Sequence, residues 1–284
     1  MDRTVSLIIT LALISASLLL PSCELIDSTG ITGSIQDSLV TVICPAPEED
    51  MYCIDLFAYG DGPLKRLEGH VRLGSGCDTV RLKLPAGEKI IVGIANSRLL
   101  FNDEALDAFD TMESLRLFYR DEERDRLKMS ASAVCLAGDT LGLRLSSPLC
   151  RIELRSIEHS FSGYRRLEDP VMYLEDANAY VEALRRDSFN TAETVSDTSG
   201  MKGLAWDILP SDIGMYPQHP GTCLYCYPNE SSVRPTQLVV EGTVTGGDRY
   251  RFVTKLPPMG HADRVDVELV IADRPDKYEF KIYR

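Results

Sequence analysis

The stretch "TVRLKL" at residues 79–84 alternates apolar with polar side chains. In an extended strand its three apolar residues point to one side, and Arg81 and Lys83 point to the other. Strands with one apolar and one solvated face are typical of antiparallel sheets, whereas strands of parallel sheets are apolar on both faces. The stretch therefore predicts an antiparallel β-sandwich around an apolar core.

Segments on both sides of this stretch follow a similar pattern. Turn signals such as Asp61-Gly62 and "GSG" at 74–76 separate short runs rich in β-branched and aromatic residues, which are typical of strands. The other predicted strands lie at 38–44, 52–59, 89–95, 127–138, 141–145, 150–157, 236–244, 249–256 and 264–272, and in the last residues of the chain.

Two segments predict helices instead. Residues 102–120 begin with Asn102, a favourable N-cap, and acidic residues follow it in the first turn. The second predicted helix covers residues 175–186. Pro148 lies between two groups of predicted strands and marks a domain boundary. The expected fold is mainly β, with one antiparallel sandwich at 35–148 and another at 149–284, each with a short helical insertion.

The N-terminus has the features of an export signal. Arg3 provides a positive start, and residues 5–20 form an apolar run that is shorter than the roughly 20 residues of a membrane-spanning helix. The tripeptide at 20–22 then leads into Cys23, an arrangement that resembles the lipobox of bacterial lipoproteins.

By this resemblance residues 1–22 are a signal peptide that is removed, and Cys23 is acylated on its thiol and becomes the first residue of the mature chain. Several acyl chains on one residue would hold the protein on a membrane essentially permanently. Residues 23–34, rich in Ser, Thr and Gly, then form a tether. The alternative is a plain cleaved signal followed by an incidental cysteine.

The composition argues against several functional classes. The formal net charge of −13 is the opposite of what a nucleic-acid binder or an anionic-membrane binder needs, so neither is expected as a partner. The chain has no nucleophile elbow, phosphate loop, zincin helix or calcium loop, so we expect neither an enzyme nor a cofactor. Of the eight cysteines, seven remain if Cys23 carries lipid, and one, two or no disulfides are all compatible with that number.

The most suggestive metal or redox motif is the pair Cys223 and Cys226, with His219 just before it. Residues three apart in a strand face opposite sides, so we expect structural cysteines and no metal site. The four histidines, His70, His159, His219 and His261, are expected to be solvated at the surface. Trp206, the single tryptophan, is expected in the core.

Several stretches in a fixed order resemble the fimbrillin-like and fimbrial anchor lipoproteins of Bacteroidales-type fimbriae. After the lipobox these are "DLFAYGDGPL" (55–64), "LPAGEKIIVGIAN" (84–96), "KMSASAVCL" (128–136), "LSSPLCRIEL" (145–154), "YLEDANAY" (173–180) and "LYCYPNESS" (224–232). The chain departs from the family near its end, where "HADRVDVEL" (261–269) lacks the usual Asn and Tyr.

The resemblance implies two transthyretin-like β-sandwich domains and assembly by donor-strand exchange, in which a neighbour's strand fills an apolar groove and pairs with an open sheet edge. It also implies that polymerising subunits first lose their N-terminal strand to an Arg- or Lys-directed protease. The implied partners are other fimbrial subunits and the outer membrane, reached through the lipid, and the implied place is the cell surface.

The chain has neither Lys nor Arg from residue 4 to residue 64. Cleavage at Lys65 or Arg66 would remove two predicted strands instead of one. The sequence therefore favours an anchor or assembly terminator that keeps its first strand and its lipid. The segment 276–284 could be a donor strand or the last strand of its own sandwich. A tip subunit, a shaft subunit and a surface glycan-binding lipoprotein are the alternative functions.

Overall fold

The computed structural model describes residues 37–45, 50–115, 117–119, 126–178, 180–184, 194–195, 204–211, 213–274 and 276–284. The predicted signal peptide, Cys23 and the tether lie outside these ranges. Within them, no helix is long and apolar enough to cross a bilayer.

The described residues of the first half form eight strands and one short helix. They are β1 (Asp37–Ile43), β2 (Cys53–Gly60), β3 (Leu67–Gly74), β4 (Thr79–Pro85), β5 (Glu88–Ala95), helix α1 (Asp103–Asp107), β6 (Phe118–Tyr119), β7 (Met129–Leu136) and β8 (Thr140–Gly142).

In the described residues of the second half, all the elements are strands. They are β9 (Cys150–His159), β10 (Leu167–Glu175), β11 (Ala177–Asn178), β12 (Val181–Glu182), β13 (Thr194–Val195), β14 (Trp206–Ile208), β15 (Thr222–Cys226), β16 (Gln237–Val244), β17 (Arg249–Lys255), β18 (Arg264–Ile271) and β19 (Tyr278–Tyr283).

Four sheets carry the architecture, and strands from different halves of the chain do not mix in them. Sheet 1 has the order β4-β1-β8, and sheet 2 has the order β3-β2-β5-β7. Sheet 3 has the order β15-β9-β18-β19, and sheet 4 has the order β14-β10-β16-β17. The mainly β fold with two domains is thereby confirmed. The exact boundary at Pro148 stays a prediction.

Most neighbouring strands are antiparallel, as the alternating pattern predicts. Two pairs depart from that prediction: β1 is parallel to β8, and β9 is parallel to β18. In both pairs the chain makes other strands before it returns, because parallel neighbours need a long crossover connection.

The buried apolar side chains of the described residues form two clusters. The smaller one fills the space between sheets 1 and 2, with Val42, Leu56 and Leu82 among its members. The larger one joins the outer face of sheet 2, including Phe57, to the core between sheets 3 and 4. Strand β2 is consequently buried on both faces, and all its residues after Cys53 are buried.

The first predicted helix is much shorter than its sequence pattern indicates. Asn102 is the N-cap as predicted, since its side chain accepts a hydrogen bond from the Ala105 N–H at 2.9 Å. The helix ends at Asp107 because the following backbone pairs elsewhere: the Leu67 N–H donates to the Asp110 carbonyl. The prediction of a helix over 102–120 is therefore correct only for its first turn.

The second predicted helix, at 175–186, is wrong. The described part of this segment contains β11 and β12 instead. Asp176 has a left-handed backbone, with φ of 53°, which breaks a helix at its start. The side-chain amide of Asn178 donates to the carbonyl of Pro228, so a distant loop holds the extended backbone in place.

Candidate strand-addition site

Strand β1 occupies the centre of sheet 1. It pairs along its whole length with β4, from Asp37 opposite Pro85 to Ile43 opposite Thr79. On its other side it pairs with β8, and the Thr41 N–H donates to the Asp139 carbonyl at 3.0 Å. Both edges of the strand are thus hydrogen-bonded, and its removal would expose the edges of two strands.

The inner face of β1 is part of the smaller core. Val40, Val42 and Cys44 are completely buried, whereas Leu39 and Ile43 on the outer face are exposed. Burial, with a further contribution from the charge of Asp78, raises the pKa of the Cys44 thiol to about 11. An apolar strand between two partners is the arrangement that a donated strand would occupy if β1 were absent.

The first basic residues after β1 lie in the turn between β2 and β3. Lys65 has a left-handed backbone with φ of 43°, and its N–H donates to the Gly62 carbonyl at 2.8 Å. The Lys65 carbonyl accepts from the Met112 N–H at 2.9 Å, and Arg66 forms a β-bridge with Thr111. A cut at this turn would leave β2 held between β3 and β5.

The C-terminal segment is the last strand of its own sheet. Strand β19 pairs with β18 over six residue pairs, from Asp266 opposite Tyr283 to Ile271 opposite Tyr278. Phe280 and Ile282 are half-buried and pack on the larger core. The sequence left two possibilities open for 276–284, a donor strand or the last strand of its own sandwich. In this structure the segment is the last strand of its own sandwich.

Tyr278 also covers part of a neighbouring sheet edge. Its hydroxyl donates to the Val253 carbonyl at 3.4 Å and accepts from the Val253 N–H at 3.3 Å. Val253 belongs to β17, the edge strand of sheet 4. In the described part of the chain, no strand pairs with the outer side of β19, which is the edge of sheet 3.

Cys223 and Cys226, whose spacing resembles a metal or redox motif, lie on opposite faces of one strand. Cys223 is half-exposed and Cys226 is buried, so the two face opposite sides of β15. Within the described residues, no group of three or more His, Cys, Asp or Glu could hold a metal ion. The half-exposed Cys223 thiol lies 3.2 Å from Nε of Arg151.

The expectation of solvated histidines is wrong for two of them. His159 is buried and stacks on Phe161, and its Nδ1 accepts from the Phe161 N–H at 3.1 Å. Burial, together with the charge of Arg165, lowers the pKa of His159. The Nε2 of His70 lies 3.1 Å from the buried carboxylate of Asp55.

A buried acid on β2 was not singled out from the sequence. Asp55 also contacts Arg72 at 3.3 Å, and Arg72 donates to the Ser97 carbonyl at 3.0 Å. Through the bond from Arg72 to Ser97, Asp55 and Arg72 together hold the segment after β5 against sheet 2. The sequence signal for this buried acid is Asp55, the single charged residue in an otherwise apolar predicted strand. Trp206, expected in the core, is instead partly exposed on the edge strand β14.

Comparison with solved structures shows which proteins share this fold. A candidate cell adhesion protein of Bacteroides eggerthii superposes with a TM-score of 0.63 at 13% sequence identity, over 89% of this chain and 97% of that chain. A fimbrilin of Porphyromonas gingivalis has a TM-score of 0.55 at 11% identity, over 86% and 95%. The tip fimbrial protein of the same organism, with a C-terminal truncation, has a TM-score of 0.54 at 12% identity, over 87% and 98%.

These likenesses confirm the predicted resemblance at the level of the fold. No protein-family model matches the chain. No curated protein matches its sequence either. The shared architecture is therefore visible in three dimensions and hardly at all in residue identity.

Proposed function

We propose that this chain is a structural lipoprotein of a cell-surface fimbria and anchors the fimbria to the outer membrane. In this function Cys23 carries the lipid, residues 1–22 are removed as the signal peptide, and shaft subunits join the chain by β-strand addition. The role is structural and not catalytic.

The fold likeness supports a role in a fimbria. Proteins with this architecture include a fimbrilin and a tip fimbrial protein, and both superpose over more than four-fifths of this chain. Subunits of such fibres must offer edges or grooves for a neighbour's strand. The outermost strands of sheets 1 to 4 are such edges.

The single observation that carries the anchor role is the position of β1. It is the central strand of sheet 1, it is completely buried on its inner face, and no Lys or Arg occurs from residue 4 to residue 64. A protease specific for basic residues has no site at which it could release β1 alone. The strand and a lipid at Cys23 would therefore stay on one continuous chain.

The position of β19 indicates where the strand of a neighbouring subunit would be added. Because β1 already fills the centre of sheet 1, a donated strand cannot enter there. The outer edge of β19 is open in the described part of the chain, and its exposed residues include Tyr278 and Tyr283. We place the added strand along this edge.

The experiment that tests the anchor role compares fimbriae on cells with fimbriae in the medium. In cells that produce the Cys23→Ala variant, we expect most fimbriae to be shed, because the protein at their base lacks its acyl chains. The measurement is the ratio of cell-bound to free fimbrial protein in washed cultures. Labelling with a fatty-acid probe reports the acylation itself.

The matched control is Cys223→Ala, which removes a half-exposed cysteine far from the N-terminus. This variant should keep both the label and the cell-bound fimbriae. If Cys23→Ala loses the label but keeps its fimbriae on the cells at the level of the wild type, the chain is not the anchor. Equal labelling of Cys23→Ala and the wild type would refute lipidation at Cys23.

A further inference from the structure

Two buried cysteines lie directly opposite each other in sheet 3. Cys226, the last residue of β15, is the register partner of Cys150, the first residue of β9, and the two strands are antiparallel. Both side chains are completely buried. Among the described cysteines, no others are register partners of one another.

The backbone at this position brings the two residues within reach of a covalent bond. The Arg151 N–H points away from β15, to the Asp263 carbonyl, so Cys150 belongs to the hydrogen-bonded set of pairs with β15. In such pairs the Cα atoms are about 5.5 Å apart, which is inside the range of about 4.4 to 6.8 Å for disulfides. The Cβ atoms of such pairs are about 5.5 Å apart, beyond the roughly 3.5–4.5 Å of a disulfide, so the bond would draw the edge strand β15 slightly towards β9.

The two thiols lie close enough to each other to interact. The hydrogen bond between the thiols, together with burial, raises the pKa of the Cys150 thiol well above its ordinary value. The Cys150 thiol also donates to the Gly260 carbonyl at 3.0 Å. The buried Cys150 thiol consequently reacts slowly once the sheet is formed, so the oxidation belongs to the folding stage, before β15 has covered Cys150.

The geometry points to a disulfide bond between Cys150 and Cys226 in the exported protein. One thiolate attacks the disulfide of a protein thiol oxidase and forms a mixed disulfide, and the second thiolate displaces the oxidase. Both thiols lose their protons, the two electrons go to the oxidase, and the oxidase leaves as a dithiol. The inference rests on the export that the proposed function includes, because disulfides persist in oxidising compartments.

The bond would fix an edge strand at its weak end. Strand β15 has five residues, it is the edge of sheet 3, and its ladder with β9 ends at this pair. Fraying of edge strands starts where pairing ends. A covalent link here keeps β15 on β9 when the chain is pulled, as the base of a fibre is.

Tryptic peptides allow a direct test on the full chain. Residues 145–151 contain Cys150 alone, and residues 203–249 contain Cys223 and Cys226, because Arg234 precedes a proline. The purified protein is unfolded in a glutathione redox buffer and refolded there, its free thiols are alkylated in denaturant, and it is digested without reductant. The same digestion is applied to protein taken directly from cell envelopes.

We expect the two peptides to be linked, and the link to persist in the Cys223→Ala variant and to disappear in Cys226→Ala. Complete alkylation of Cys150 and Cys226 after refolding in the oxidising buffer would overturn the inference. A link from Cys150 to Cys223 would overturn it as well. If the refolded protein is linked but the protein from cells is fully reduced, the pairing stands and the proposed export fails.

Discussion

Cys44 reports directly on the state of the first strand. Its thiol lies in the smaller core directly after β1, and burial with the charge of Asp78 raises its pKa to about 11. A thiol reacts as its thiolate, and a pKa two units higher leaves about 100-fold less thiolate at pH 8. Cys44 is therefore protected as long as β1 stays in place.

We predict that Cys44 is alkylated at pH 8 at least about 100-fold more slowly than the half-exposed Cys223. The measurement is iodoacetamide labelling of the native protein, followed over time by peptide mass spectrometry. In denaturant the two cysteines should react at similar rates. Equally fast labelling in the native protein would mean that β1 opens readily.

His159 makes the stability of the C-terminal sandwich depend on pH. Burial lowers its pKa, so the unfolded chain binds a proton more readily than the folded chain. The stabilising effect of the neutral side chain is complete above the unfolded pKa of about 6.5 and is lost as the pH falls from there towards the lower folded pKa. Protonation would also break the hydrogen bond from the Phe161 N–H to Nδ1.

We predict that the thermal midpoint of the wild type falls more steeply between about pH 6.5 and pH 5 than that of His159→Asn. His219→Asn is the matched control, because His219 is surface-accessible and bonds only through Nδ1 to the Arg155 carbonyl. The comparison uses calorimetry at a series of pH values. Parallel pH profiles for the wild type and His159→Asn would contradict the assignment.

At the scale of elements, β1 is a core strand and not a loosely added one. Val42 is completely buried between sheets 1 and 2, whereas Leu39 on the other face is 44% exposed. Val42→Ala should lower the free energy of unfolding by about 2 kcal/mol, through lost apolar burial and the cavity that remains. Leu39→Ala should change it by less than about 0.5 kcal/mol.

Urea unfolding of both variants, followed by circular dichroism, measures the difference. If Val42→Ala were as stable as Leu39→Ala, β1 would contribute little to the folded protein. In that case the strand could leave without cleavage, and the argument from the missing basic residues would lose its force.

The strands that the sequence predicted well are those with one buried and one solvated face, because burial then sets the alternation of apolar and polar residues. In β4 and β18 the alternation of apolar and polar residues follows burial directly, residue by residue. Strand β3 was missed because Gly69 and His70 interrupt its alternation, and its place depends on pairing with β2. Pairing between distant segments leaves little trace in a local pattern.

The false helix at 175–186 has a similar cause. Small and apolar residues there fit a helical spacing, but the buried residues Ala177, Val181 and Ala183 also fit a period of two. The carbonyl of Asp176 accepts hydrogen bonds from Asn229 and Thr236, about fifty to sixty positions later in the chain. Such tertiary bonds decide the conformation, and local propensity cannot reveal them.

At the scale of the whole molecule, the larger core joins both halves of the chain. It includes Phe57 of sheet 2 and Ile152 of sheet 3, so the outer face of sheet 2 packs into the same apolar cluster as the second sandwich. Strand β2 contributes to both clusters. A cut at Lys65 or Arg66 would thus separate β2, which contributes to both cores, from the rest of the chain while it stays paired with β3 and β5, so it would not open a groove for a neighbour's strand.

The identity of the mature N-terminus tests the anchor proposal most directly. Mass spectrometry of the protein from intact cells should find acylated Cys23 as the first residue, with β1 on the same chain. The matched control is Asp50→Arg, which places a basic residue at an exposed position between β1 and β2. This variant shows whether a protease of the cell surface cuts there when it can. A major wild-type species that begins after Lys65 or Arg66 would contradict the account.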